Sequence, residues 1–133
     1  MSAPTRSTVL RSATYFPVSN VAITGAYYRD VLGFDCDYSA GDPPDFAIYS
    51  RDACVVMLRR VTDDSIVVPN EQQGGTWDLF CWVADLDAMF AELTSHGVEV
   101  AYPPTTQPYG MREFAVRDPN GYVLGFGAEL TTG

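Results

Sequence analysis

Residues 32–38 read LGFDCDY and residues 96–102 read HGVEVAY. The two stretches align Gly33 with Gly97, Asp35 with Glu99 and Tyr38 with Tyr102, and VSN before one candidate helix matches VAD before the next. A chain that repeats itself once, in units too long for a solenoid turn, is expected to fold as two like halves about a pseudo-twofold axis. Each half alone would leave one sheet face exposed, so the halves must cover one another or pair with a second chain.

Both halves give the same order of elements. ATYFPV (13–18) carries the aromatic and β-branched side chains that strands favour. SNVAITGAYYRDVLGF then reads as a helix with Asn20 as N-cap, Ile23, Ala26, Tyr27 and Val31 near helical spacing, and Gly33 as its stop. FDCDYSA is a second strand, SAGDPPD a turn-rich loop, and DFAIYS and ACVVMLRR are two strands joined near Arg51 and Asp52. After a polar linker at 68–76 the order returns. WDLFCWV (77–83) is a strand, and a helix capped by Asp85 places Leu86, Met89, Phe90 and Leu93 on one face and stops at Gly97. VEVAY, the loop PPTTQPYG, MREFAVR, a DPNG turn and YVLGFG complete the half. The expectation is one α+β domain over residues 1–133, with βαβββ modules at 9–67 and 77–130.

Seventeen acidic residues oppose eight basic ones, a net charge of −9, and every basic residue is arginine. Nucleic-acid binding needs a cationic footprint and is disfavoured; without lysine there is no Schiff-base chemistry. An acidic surface attracts cationic ligands, although acidity also serves solubility alone. No apolar run is long enough for a membrane helix and the first residues lack signal-peptide order, so a cytoplasmic protein is expected. Cys36, Cys54 and Cys81 sit in apolar strand-like settings without zinc or CxxC spacing and read as buried reduced thiols. His96, one residue before Gly97, reads as a structural group at a helix end.

The pair YYRDVLGF (27–34) and RDPNGYVLGF (117–126) resembles the vicinal oxygen chelate superfamily, which includes glyoxalases, extradiol dioxygenases and bleomycin-resistance proteins. The likeness runs from Val9 to Leu130 and implies two curved sheets around a cleft. It further implies a divalent-metal site in the enzymatic members, with one ligand seven residues before each helix cap and another closing a DPxGxxxE pattern. Those places read Ala13 and Asp78, then Gly125, with Met57 as its counterpart in the first half. A single carboxylate does not make a site for a hard cation, so no metal and no other cofactor is expected, and Gly125 should open the cleft floor.

By strand alternation the implied cleft wall is Tyr15, Met57, Asp78, Phe80, Trp82 and Gly125, while Leu79, Cys81 and Val83 turn toward the helices. Aromatic strand residues are more often core than cleft; here the resemblance argues for the cleft. The loop adds Tyr109, Arg112 and Glu113, with one of the last two pointing inward, and its prolines suggest a semi-rigid lid. Such a surface suits a flat, partly cationic organic molecule held by stacking and charge. Three readings follow. The first is a metal-independent small-molecule binding protein similar to bleomycin-resistance proteins, acting as a homodimer. The second is a divalent-metal-dependent glyoxalase- or dioxygenase-like enzyme. The third is metal-free catalysis with Asp78 or Glu113 as base.

Overall fold

Asn20 and Asp85 begin the two helices, their side chains accepting the Ile23 and Ala88 amides at 2.9 and 3.0 Å. The computed structural model describes residues 3–130. In chain order it contains β1 (Ser12–Val18), α1 (Val21–Asp30), β2 (Asp35–Gly41), β3 (Pro44–Arg51), β4 (Cys54–Arg60), β5 (Leu79–Trp82), α2 (Leu86–Ser95), β6 (Glu99–Thr106), β7 (Met111–Arg117) and β8 (Val123–Glu129). Short 3-10 turns at Asp64–Ile66 and Asn70–Gln73 interrupt the connection between halves.

The strands form two sheets of four, ordered β1-β4-β3-β2 and β5-β8-β7-β6. β1 runs parallel to β4 and β5 parallel to β8, and the remaining neighbours are antiparallel. The repeat extends to the pairing register. Tyr15, Met57, Ile48 and Tyr38 lie side by side across the first sheet, and Phe80, Gly125, Ala115 and Tyr102 make the same row across the second. Gly33 and Gly97 occupy equivalent turns at φ +76° and +79°, a left-handed conformation that glycine adopts without a Cβ clash.

The halves pack on each other within one chain through their helix-bearing faces, around one core that includes Phe16, Tyr28, Leu58, Leu93, Phe114 and Leu124. Phe16 stacks on Tyr122 at 4.4 Å, and the Tyr122 hydroxyl donates to the Pro17 carbonyl at 2.6 Å. Tyr28, fully buried, donates to Asp118 Oδ2 at 3.0 Å. Arg51 grips Glu92 through two hydrogen bonds of 2.6 and 2.8 Å; being partly exposed, this pair contributes at most about 1 kcal/mol. His96 Nδ1 lies 3.0 Å from the Val31 carbonyl, so the imidazole donates across the junction to the end of α1.

Several expectations are corrected. The buried face of α1 is Val21, Thr24, Gly25 and Tyr28, whereas Ile23 is 61% exposed. VAITGAYY is apolar around much of its circumference, and the stripe that turns inward is the one carrying Tyr28, whose hydroxyl meets Asp118. The loop SAGDPPD is a tight turn, since β2 continues to Gly41 and β3 starts at Pro44. β5 spans only Leu79–Trp82 of the expected seven-residue strand. Pro103 and Pro104, expected in a lid, belong to β6, where an edge strand tolerates a missing donor and the register shifts between Tyr102 and Thr105. Cys36 is exposed on β2, the edge of its sheet, and Cys54 and Cys81 are half-buried.

Candidate functional site

Leu79, Cys81 and Val83 pack against the core, as alternation requires, so Phe80 and Trp82 stand on the face of the second sheet turned from the helices. On the neighbouring strand that face carries Gly125 and Gly127, opposite Phe80 and Trp82. The missing side chains are occupied by rings. A Cβ at Gly125 would come within 2.5 Å of Trp77 Cδ1 and 2.8 Å of Phe80 Cδ2. The expected open floor is therefore covered by the protein's own indole, and the glycine exists for close approach. Trp77 Nε1 donates to the Tyr102 hydroxyl at 2.8 Å, which anchors the ring across the sheet. Phe80 stands between Trp77, tilted to it at 4.7 Å, and Trp82, edge-on to it at 4.9 Å, an arrangement that suits aromatic quadrupoles. Trp82, the outer member, is 72% exposed.

Alternation along β7 resolves which charged residue joins this face. Glu113 lies opposite Gly127 and is 2% exposed. Its Cγ and Phe80 Cζ converge on the space a side chain at Gly127 would need. Tyr109 donates to Glu113 Oε1 at 2.6 Å, and that carboxylate pushes the phenol up to about 12. Arg112 instead reaches Asp87 at the start of α2, at 3.3 Å. Asp78 has both oxygens engaged by backbone: Oδ1 accepts from Asn70 N and Oδ2 from Val123 N, each at 2.8 Å. Tyr15 and Met57 are neighbours on the corresponding face of the first sheet, where the Arg59 guanidinium sits 5.7 Å from the Tyr15 ring. A depression of about 300 Å³ lies where the sheets adjoin, lined by Ala13 and Val55 from the first and Phe80 and Trp82 from the second.

The four places that the resemblance marks for a cation do not fit one. Ala13 and Gly125 offer no donor, Met57 offers only a soft thioether, and Asp78 is already bonded by two amides. Among the described residues no three histidine, cysteine, aspartate or glutamate side chains gather into a possible ligand set. Trp77, Tyr102, Gly127 and Met111, whose Cε also borders the space above Gly127, lie on this face although no motif marks them. The period of two that pairs Gly127 with Gly125 was the available signal for Gly127.

Paired βαβββ modules with matched registers, each presenting a helix-free sheet face, define the glyoxalase-like class of α+β proteins. The chain belongs to the Glyoxalase/Bleomycin resistance protein/Dioxygenase superfamily, whose model matches residues 12–126. No curated protein matches it in sequence. Among solved structures it is similar to TioX from Micromonospora sp. ML1, with 23% identity and a TM-score of 0.73 over 90% of this chain and 98% of that one. It is also similar to the bleomycin-binding protein from Streptomyces verticillus complexed with copper(II)-bleomycin, at 25% identity and TM-score 0.68 over 92% and 98% of the chains. TnmS3, an antibiotic-binding protein from Streptomyces sp. CB03234, is 23% identical with a TM-score of 0.69 over 94% and 99%. No helix among the described residues is long and apolar enough to cross a membrane.

Proposed function

We propose that this chain binds a small, flat, cationic organic molecule without a protein-held metal, and does so as a homodimer. The observation that carries the reading is the ladder Trp77–Phe80–Trp82 ending in an exposed indole, with the buried Glu113 carboxylate beside it. The outer ring offers a stacking surface, and Glu113, more than Asp78, is placed to orient a positive group. A net charge of −9 raises the encounter rate with a cation and makes binding weaken with salt. The bleomycin-binding relative, complexed with copper(II)-bleomycin, supports an organic ligand on this fold. Exposed Tyr15, Tyr38 and Trp82 on the helix-free faces supply apolar surface for a second copy, which would enclose the ligand between subunits.

The test follows Trp77 and Trp82 fluorescence through titration with cationic glycopeptides, quinones and other aromatic natural products, with chelator or with added divalent salts. Saturable quenching that chelator leaves intact and Trp82→Ala weakens by about tenfold or more supports the reading. Binding or turnover that requires stoichiometric protein-bound metal would establish the metal-dependent enzyme instead. Sedimentation of the free chain checks the dimer.

A further inference from the structure

Cys54 opens β4 in the first half and Cys81 lies within β5 of the second, yet their sulfurs are 3.4 Å apart. Both are half-buried, and neither takes part in the aromatic ladder. Depressions approach the pair from two sides. One, of about 300 Å³, passes Ala13, Phe80 and Trp82; the other, of about 160 Å³, passes Leu32, Arg51 and Met89. Two thiols in contact, at the seam between the two sheets and reachable by a small reagent, form more than a pair of core residues.

We propose that Cys54 and Cys81 are a dithiol modification site that reacts with small-molecule disulfides and closes to a disulfide joining the two halves. The steps balance. The Cys54 thiolate attacks one sulfur of the reagent disulfide, forming a mixed disulfide and releasing one reagent thiolate, which takes up the proton Cys54 gave to solvent. Cys81 then loses its proton and attacks the Cys54 sulfur, forming the Cys54–Cys81 bond and releasing the second reagent thiol. Two protein thiols are oxidised and one reagent disulfide is reduced to two thiols. The division of labour follows from the contact. The Cys81 S–H donates to Cys54, which lowers Cys54 below its ordinary thiol range and raises Cys81 far above it. Cys54 is thus the attacking sulfur and Cys81 the resolving one, released for attack once Cys54 is capped and no longer draws its hydrogen bond. Cys36, exposed on β2, is the internal comparison, because it has no second thiol to resolve an adduct.

The experiment incubates the reduced full chain with oxidised glutathione near neutral pH, quenches with an alkylating reagent in denaturant, and maps peptides by mass. The expected result is a peptide linking Cys54 to Cys81, with Cys36 recovered free or as a glutathione adduct. In Cys81→Ser the glutathione remains on Cys54, added faster than to Cys36; in Cys54→Ser, Cys81 stays unmodified. Wild-type mapping requires no variant to fold, and the same incubation in denaturant should abolish the preference for Cys54. The proposal is overturned if the folded wild type reacts only at Cys36, if a link forms through Cys36, or if Cys54 and Cys81 each keep separate adducts.

Discussion

At Gly125 a single hydrogen atom decides what covers the second sheet. Its equivalent in the first half is Met57, whereas the glycine leaves its side-chain space to the Cδ1–Nε1 edge of the Trp77 indole. Gly125→Ala should displace Trp77 and Phe80 and destabilise the protein by about 1–3 kcal/mol, as overpacking does, with a red shift of tryptophan emission. Little change in either would show that the rings do not rest there. Asp78 makes a separate prediction. Its oxygens bond two different amides, so Asp78→Asn can satisfy only one through its remaining oxygen. The substitution should lower stability by about 1–3 kcal/mol in urea titration while leaving ligand affinity nearly intact; loss of binding without loss of stability would instead give Asp78 a direct role.

The two helices are the elements whose beginnings depend most plainly on one side chain each. Asn20→Ala and Asp85→Ala each remove an acceptor for a first-turn amide and should each cost about 1 kcal/mol. They act on different helices, so the double variant should lose the sum of the single losses in chemical denaturation. β6 shows the limit of element-level reading. The prolines at 103 and 104 announce a loop, but the strand lies at the sheet edge and accommodates them with a register shift.

At the scale of the molecule, the halves are fastened where Asp118, from the second, meets Tyr28, from the first. Asp118 Oδ1 also accepts the Asn120 and Tyr122 amides, at 2.8 and 3.1 Å, yet burial outweighs these bonds and pushes the carboxyl up to about 6 from 3.8. The folded chain therefore holds this proton more tightly than the unfolded chain. The stability it contributes is fully present below pH 3.8 and is lost as pH rises through about 6, by on the order of 3 kcal/mol. Glu92, lowered by Arg51, works in the opposite direction, so the informative quantity is wild type compared with Asp118→Asn. The stability advantage of wild type over that variant should shrink between pH 4 and pH 7 in urea titrations; a constant difference would mean that Asp118 titrates normally.

The repeat, the caps at Asn20 and Asp85 and the alternation that puts Phe80 and Trp82 on one face were legible from the chain alone. Each depends on residues close in sequence, where helical and strand periods act directly. The family resemblance located four ligand positions, and three of them visibly lacked a fitting donor. What only the tertiary structure decided were meetings between distant residues: Trp77 over Gly125, Asp78 on the Val123 amide, Tyr28 on Asp118, and Cys54 against Cys81. Such contacts depend on how two sheets settle against a shared core, and local periodicity carries no record of that distance.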